Sequence, residues 1–239
     1  MIQDMETIKV FTAFSGYDSQ MMALNRVTER HKGEIGFDLV GWSEIDKYAI
    51  KAHDLIFPEY KDRNYGDISR IDWSKVPDFD LFTYSFPCTD ISNSGLQKGL
   101  CEGSGTRSSL LWECRKAIIA KEPKYLLLEN VKALVSEKFL PYLKRWCREL
   151  EEYGYYNYSK VMNAKDYGVP QNRERIFLLS IRRDMDNGDF VFPEEFELTT
   201  FLKDVLEENV DDNYYLSEKS IEGFLKHNEN HENKGTGFV

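Results

Sequence analysis

The sequence has few cysteines and no long apolar run. Its four cysteines have neither the C-x-x-C spacing of metal and redox sites nor the density of a disulfide scaffold. No apolar stretch approaches the roughly 20 residues of a membrane span, and residues 1–9 lack the charged-then-apolar order of a secretion signal. These absences predict a cytoplasmic protein with reduced thiols, no bound metal and no membrane partner.

A surplus of basic residues is also absent. The formal net charge is −10, which argues against a broad, nonspecific nucleic-acid binder, because such proteins carry a basic face toward phosphate. Much of the acid lies in residues 184–212, so a basic groove elsewhere in the chain stays open. Hydrophobic residues at 41% and charged residues at 30% predict a folded globular chain, and 239 residues suit one main domain.

Short apolar runs alternate with amphipathic ones along most of the chain. The apolar runs predict strands at residues 8–14, 37–43, 80–85, 125–128, 155–161 and 175–181. Helical spacing recurs at residues 21–24, 48–56, 110–120 and 140–150. This order predicts an α/β fold, with a mostly parallel sheet, helices on both faces and ligands at the carboxyl ends of the strands.

Three further segments carry weaker signals. Residues 89–109 are rich in Gly, Ser and Thr and are predicted to form a mobile loop, and residues 199–206 are predicted to form a helix. The polar residues 226–239 are predicted to be a frayed end. His227 and His231 within that end lack the spacing of a metal-binding helix, which favours a solvated tail.

Two reactive side chains follow predicted strands. Phe86-Pro87-Cys88 ends one strand, and Glu129-Asn130-Val131 ends the next. A cysteine thiolate is a strong nucleophile, and a carboxylate at the end of an apolar strand needs a partner or a task. The alternatives are a buried packing thiol and a carboxylate that caps the next helix.

Arg173 and Arg175 alternate along a predicted extended segment, so that both side chains point the same way. Two guanidinium groups on one face suit a phosphate and a base carbonyl. The alternative is an exposed strand edge held by salt bridges.

Taken together, these motifs resemble those of the C5-cytosine DNA methyltransferases, which depend on S-adenosylmethionine. The resemblance covers roughly residues 7–210 and rests on Phe14-Ser15-Gly16, Glu44, Asp67, Phe86-Pro87-Cys88, Glu129-Asn130-Val131 and the run from Gln171 to Arg175. It implies a Rossmann-like class I methyltransferase domain at residues 1–210. Residues 211–239 are then the start of a target-recognition region or a truncated one.

The resemblance implies a role for each catalytic residue. Cys88 adds to C6 of a flipped cytosine, and Glu129 holds the ring at N3 and the exocyclic amine. Arg175 lies near the cytosine O2 and Arg173 near the backbone or the catalytic loop. Ser92 and Arg107, in the loop, contact duplex DNA, which is the expected partner.

The resemblance also implies a cofactor site for S-adenosylmethionine and its product S-adenosylhomocysteine. Glu44 accepts hydrogen bonds from the ribose, Ile45 packs on adenine, and Asp67 and Ile68 read the adenine edge. The complete implied set is Phe14, Ser15, Gly16, Tyr17, Glu44, Ile45, Asp67, Ile68, Pro87 and Leu110. The usual family turn is Gly-x-Gly-Gly, whereas this chain has Gly16-Tyr17-Asp18-Ser19.

The family's target-recognition region and returning C-terminal segment have no counterpart after Val205. We therefore expect an incomplete enzyme of the restriction-modification or phage type, inactive by itself, whose recognition region is missing or carried by a second chain. The alternatives are a transfer-RNA C5-cytosine methyltransferase and a non-catalytic subunit of a split methyltransferase. A nicotinamide dehydrogenase would leave Cys88 and Glu129 without a use.

Overall fold

A computed structural model describes residues 6–92 and 99–233 and contains one six-stranded sheet with the order β2-β1-β3-β4-β6-β5. Strands β1 to β4 are parallel to one another, and β6 runs antiparallel to both β4 and β5. The predicted α/β fold with a mostly parallel sheet is confirmed. The strands are β1 (Glu6–Ala13), β2 (Ile35–Ser43), β3 (Leu81–Tyr84), β4 (Tyr125–Val131), β5 (Tyr155–Asn163) and β6 (Glu174–Arg182).

Helices cover both faces of the sheet, as predicted. Successive strand residues point to opposite faces, so Val10 of β1 joins one apolar core and Phe11 joins the other. Helices α1 (Ser19–Arg30) and α2 (Lys47–Ile56) contribute residues to the core around Val10. Helices α3 (Cys114–Lys121) and α4 (Leu140–Glu152) contribute to the larger core around Phe11.

The antiparallel direction of β6 matters for the site. Parallel strands present their carboxyl ends at one edge of the sheet, whereas an antiparallel neighbour begins there. Val131, at the end of β4, is paired with Arg175, near the start of β6. The two predicted arginines therefore lie at the edge where the parallel strands deliver their functional residues.

Some local predictions were wrong or were confirmed only in part. The predicted helix at 110–120 begins as a 3₁₀ helix, Arg107–Glu113, before α3 takes over. The predicted helix at 199–206 is only the short 3₁₀ turn Leu202–Asp204. Polar residues predicted to be a frayed end lie partly in α5 (Glu218–Glu232), which starts at a Ser217 cap that accepts a hydrogen bond from the Ser220 amide.

The predicted mobile loop at residues 89–109 is tied to the domain at both of its ends. The side chains of Ile91 and Leu100 are fully buried, and the Gly99 amide donates to the Asp90 carbonyl. The glycine-rich composition of this segment did not indicate that it is anchored, because the anchor consists of only two apolar residues. Residues 93–98 of that prediction lie outside the described residues.

The chain forms two compact units, residues 1–197 and 198–239. The first contains the sheet and helices α1 to α4, and the second contains α5 and two 3₁₀ turns. Across the described parts of both units, no helix is long and apolar enough to cross a bilayer.

Candidate active site

The segment that carries Cys88 is fixed by hydrogen bonds from two other elements. Asn130, at the end of β4, donates from Nδ2 to the Phe86 carbonyl at 2.9 Å, and Ser108 Oγ donates to the Pro87 carbonyl at 2.6 Å. The Cys88 carbonyl accepts hydrogen bonds from the Ile91 and Ser92 amides. The thiol is therefore presented, half-buried, from a turn with a defined backbone.

Cys88 opens into a cavity of about 740 Å³, here called the thiol cavity. Ser92, Arg173 and Arg175, all predicted site residues, line the same cavity. Its other walls are Val131, Lys132, Ala133, Val135, Ser136, Gln171, Asn172 and Glu174. The structure thus brings together one predicted nucleophile, two predicted guanidinium groups and one predicted DNA contact.

Glu129 does not line the thiol cavity but is joined to it through an ion pair. Its Oε1 lies 3.1 Å from Nε of Arg175, and the two side chains are only 27% and 22% exposed. Glu129 lines a neighbouring cavity of about 760 Å³, the sheet-face cavity, which shares Gln171 and Arg173 with the thiol cavity. The acid and the thiol therefore face two cavities with common walls rather than one.

A third cavity, of about 360 Å³, lies at the ends of β1 and β2 and is called the carboxylate cavity. Three acidic residues, Glu44, Asp46 and Asp67, line it beside largely apolar walls. It brings together most of the predicted cofactor residues: Phe14, Glu44, Ile45, Asp67, Ile68, Pro87 and Leu110. Arg107, predicted as a DNA contact, also lines it.

Glu44 is held by three backbone amides. Its Oε1 accepts from Ile45 at 2.7 Å and from Asp46 at 2.9 Å, and its Oε2 accepts from Gly16 at 3.0 Å. The last bond connects the end of β2 to the turn after β1. The carboxylate is therefore fixed in place, and its remaining lone pairs suit hydroxyl donors.

Asp67 is the second fixed carboxylate of this cavity. Its Oδ1 accepts from the Ser69 hydroxyl at 2.7 Å and from the Ser69 amide at 3.0 Å. These hydrogen bonds hold the pKa of Asp67 below its usual value, so the group is ionised at neutral pH. The neighbouring Ile68 is buried and supplies part of the apolar wall.

The turn between β1 and α1 has an unusual backbone. Phe14, Gly16 and Asp18 all have positive φ, of 56°, 60° and 65°. Such values are strained for phenylalanine and are found mostly where function requires them. Phe14 lines both the carboxylate cavity and the sheet-face cavity, whereas Ser15 and Tyr17 line only the sheet-face cavity.

Asp18 accounts for the departure from the usual glycine turn. Its side chain is fully buried, accepts from Thr12 Oγ1 at 2.7 Å, and caps α1 by accepting from the Met21 amide at 3.1 Å. Glycine could adopt this φ but could not supply the cap. Sequence reasoning missed this role, although an aspartate directly before a helical pattern is a recognised start signal.

Asn130 and Ser108 were also missed as site residues. Both hold the backbone of the Phe86-Pro87-Cys88 segment, and Ser108 is additionally linked to Asp90, whose Oδ2 accepts from the Ser108 amide. The signal available for Asn130 was its position directly after Glu129. No local pattern marks Ser108, because its partners lie about twenty residues away.

The fold and these cavities define a Rossmann-like α/β domain in which the Glu44 and Asp67 carboxylates line one cavity near the ends of the first two strands and a thiol follows the third strand. The family model for C-5 cytosine-specific DNA methylase matches residues 8–239. The chain therefore belongs to the C-5 cytosine-specific DNA methylase family.

Similar proteins include bacterial type II methyltransferases. M2.ScrFI of Lactococcus lactis subsp. cremoris is 39% identical, and the match covers 90% of this chain and 71% of that protein. M.HhaI of Haemophilus parahaemolyticus is 37% identical over 72% of this chain and 50% of its own length. Several other relatives are also matched over only about half of their length.

Solved structures share the fold at low identity. S. pombe Dnmt2 methyltransferase has a TM-score of 0.67 and 19% identity, covering 92% of this chain and 66% of that chain. Entamoeba histolytica EhMeth has a TM-score of 0.69 and 22% identity, covering 90% and 65%. At this identity the likeness establishes the Rossmann-like fold alone.

Proposed function

We propose that this chain carries the catalytic half of an enzyme that transfers methyl from S-adenosylmethionine to C5 of cytosine in duplex DNA. The observation that carries the proposal is the position of Cys88, in a cavity with Arg173 and Arg175 and directly after the strand beside the carboxylate cavity. Residues 1–210 would form the catalytic domain. Residues 211–239 would begin the target-recognition region.

The carboxylate cavity fits the nucleoside part of the cofactor. Glu44 is fixed where it can accept hydrogen bonds from ribose hydroxyls, and the ionised Asp67 can accept from an exocyclic amine. Phe14, Ile68 and Leu110 offer apolar contact to a planar base. The bound cofactor supplies an electrophilic methyl group.

The thiol solves the main chemical difficulty of the reaction. C5 of cytosine is too electron-poor to attack a methyl donor until a nucleophile adds at C6. The Cys88 thiolate would bond to C6, and C5 would then bond to the methyl group as the bond between that group and the cofactor sulfur breaks, which leaves S-adenosylhomocysteine as product. Loss of the C5 proton to a base or water, followed by elimination of Cys88, restores the aromatic ring.

Glu129 and Arg175 would hold the target ring while charge moves through it. In the absence of a base the two side chains pair with each other at 3.1 Å. A cytosine that enters here would exchange this ion pair for hydrogen bonds: Glu129 would accept from the amine and share a proton with N3, and Arg175 would donate to O2. Each charged side chain then keeps a hydrogen-bond partner on the base, which offsets part of the cost of its desolvation.

The base must leave the helix to reach this position, which costs a few kcal/mol of stacking and pairing. Ser92, beside the thiol, and Arg107, exposed at the rim of the carboxylate cavity, would contact the DNA backbone. Arg173, which is exposed and lines two cavities, would do the same from the other side. These contacts offset part of the cost of extrusion.

A further polypeptide segment would cover the sheet-face cavity. Leu127 and Phe177 on the sheet and Leu24 on α1 are only half-buried there, and Thr83 Oγ1 is a buried hydroxyl without a hydrogen-bond partner among the described atoms. The segment could belong to a longer form of this chain or to a second chain that also reads the DNA sequence. The chain by itself would then bind cofactor but methylate DNA poorly.

Tritium transfer from labelled S-adenosylmethionine tests the proposal. We expect little transfer to duplex DNA by the 239 residues alone. We expect robust transfer when they are joined to the part of the Lactococcus lactis relative that this chain does not match. Transfer to transfer RNA but not to duplex DNA would contradict the substrate, and robust turnover by the 239 residues alone would contradict the need for a covering segment.

A further inference from the structure

A buried histidine lies beneath the turn that follows β1. His53 of α2 is fully buried, with its ring stacked on Trp42 at a centroid distance of 3.7 Å and tilted against Phe57 at 5.4 Å. Neither ring nitrogen has a hydrogen-bond partner among the described residues. A polar ring sealed between two aromatic side chains is costly unless its nitrogens have a task.

Both nitrogens of His53 face carboxylates. Nε2 lies 3.6 Å from Oδ2 of Asp18, which is also fully buried, and Nδ1 lies 3.8 Å from Oδ1 of the half-buried Asp54. A buried carboxylate without a compensating charge or donor costs several kcal/mol. Because the pairing of Nε2 with Asp18 is enclosed on both sides, it is the stronger of the two.

Asp18 connects this histidine to the cofactor turn. The Asp18 amide donates to the Ser15 carbonyl at 2.8 Å, and its side chain accepts from Thr12 and from the Met21 amide. The turn enclosed by these bonds contains Phe14 and Gly16, both with positive φ. A shift of Asp18 would therefore move the two residues that meet the carboxylate cavity and Glu44.

We propose that His53 is a positioning residue for the cofactor turn and acts through Asp18. Nε2 of His53 lies 3.6 Å from Asp18 Oδ2, beyond hydrogen-bond distance, and its electrostatic attraction holds the carboxylate that caps α1 and closes the turn. The inference rests on the proposed function, since it assigns to the pair an effect on cofactor affinity. It also explains why aspartate is tolerated where the family turn usually has glycine.

Two substitutions at residue 53 separate the donor from the packing. His53→Phe keeps an aromatic ring between Trp42 and Phe57 but removes the donor, whereas His53→Gln keeps a donor near the position of Nε2. We expect His53→Phe to raise the Kd for S-adenosylhomocysteine about tenfold, because the electrostatic contact between Nε2 and the buried Asp18 carboxylate is lost. His53→Gln should recover most of the affinity.

Asp18→Gly provides the background that tests the route. Here the carboxylate is absent, so His53→Phe should change the cofactor Kd by less than about twofold. Calorimetric titration with S-adenosylhomocysteine measures the Kd of four proteins: the unsubstituted chain, His53→Phe, Asp18→Gly and the double variant. Thermal unfolding of the same four proteins measures the coupling between His53 and Asp18 without any ligand. Additive effects of the two substitutions in both measurements would overturn the inference.

The outcomes also separate this inference from the proposed function. If the unsubstituted chain binds no cofactor, the proposed function fails, and the unfolding measurements still decide whether His53 and Asp18 are coupled. If it binds cofactor and His53→Phe binds equally well, the inference fails and the proposed function stands. Equal losses in His53→Phe and His53→Gln would indicate packing alone and would also overturn it.

Discussion

The carboxylate cavity and the thiol cavity differ in how far this chain completes them. In the carboxylate cavity, Glu44 is held by three backbone amides and Asp67 by Ser69. In the thiol cavity, Arg175 is paired with Glu129, whereas Lys132 and Glu174 pair only with each other and their side chains are 56% and 43% exposed. Fixed groups are prepared for a ligand, whereas exposed ones must still be ordered by one.

The difference follows from the fold. The carboxylate cavity is built mainly by the segments that follow β1 and β2, together with Pro87, Arg107 and Leu110. The thiol cavity combines the end of β3 with the start of the antiparallel β6, and it borders an open sheet face. We therefore expect cofactor binding and methyl transfer to respond to separate substitutions.

The largest separation is expected at Cys88. In the form joined to the unmatched part of the Lactococcus lactis relative, Cys88→Ala should lower methyl transfer by at least about 10³-fold, because Cys88 is the one thiol among the residues that line the thiol cavity. The cofactor Kd should stay within about twofold, since Cys88 does not line the carboxylate cavity. Tritium transfer and calorimetry measure the two effects.

Cys101→Ala is the matched control for this substitution. Cys101 is an exposed thiol that lines none of the three cavities. Its loss should leave both measurements unchanged. Equal activity of Cys88→Ala and Cys101→Ala would refute the role of the thiol.

Glu129→Gln should reduce methyl transfer by about 10²-fold, the usual contribution of a positioned acid or base. The substitution also removes the partner of Arg175, which is 22% exposed and would keep an uncompensated charge. Asp184→Asn, which breaks an exposed pair with Arg182, serves as the control and should have no effect on transfer. If Glu129→Gln lost cofactor affinity by the same factor as it lost methyl transfer, cofactor binding and methyl transfer would not depend on separate residues.

Glu44→Gln should weaken cofactor binding, whereas Glu129→Gln should mainly slow methyl transfer. We expect the Kd for S-adenosylhomocysteine to rise about tenfold or more, because a fixed carboxylate with two acceptor oxygens is replaced by an amide. Glu59→Gln, at an exposed position on a 3₁₀ turn, is the control. An unchanged Kd for Glu44→Gln would mean that the carboxylate cavity is not the cofactor site.

The smallest effect concerns the two structural thiols. Burial raises the pKa of Cys114, and it raises the pKa of Cys147 from 9.0 to about 11. Both thiols should therefore resist iodoacetamide at pH 7.5, while Cys88 and Cys101 react, as mass spectrometry of peptides would reveal.

The raised pKa values also have a consequence for stability. A buried thiol that resists ionisation stabilises the fold below the pKa of the unfolded chain, and this contribution is lost as pH rises from about 9 toward 11. Chemical unfolding should therefore become easier across that interval. Cys147→Ala should reduce the slope of the unfolding free energy against pH. An unchanged slope would contradict the raised pKa of Cys147.

The sequence predicted the parts of the molecule that depend on local pattern. The strand positions, the two helical layers and the placement of Cys88 and Glu44 after strands follow from apolar runs and the residues that end them, whereas the order of the strands within the sheet does not. The clustering of Phe14, Asp67 and Leu110 in one cavity was likewise expected from the family motifs.

The remaining features depend on contacts between distant residues. No sequence pattern near Asn130 indicates that its side-chain amide donates to the Phe86 carbonyl. No pattern near His53 indicates that its ring contacts Asp18, 35 positions earlier. The helix α5 was missed for another reason: its polar residues form a helix with exposed apolar side chains, and sequence reasoning expects a helix to bury one face. The assignment of each site residue to catalysis or binding stays a prediction.

Calorimetric titration of the unsubstituted 239-residue chain with S-adenosylhomocysteine tests the account most directly. The account predicts saturable binding with one site per chain, weakened in Glu44→Gln and unaffected in Cys88→Ala. Absence of binding, or equal binding by the Glu44→Gln chain, would contradict the claim that this chain completes the cofactor site.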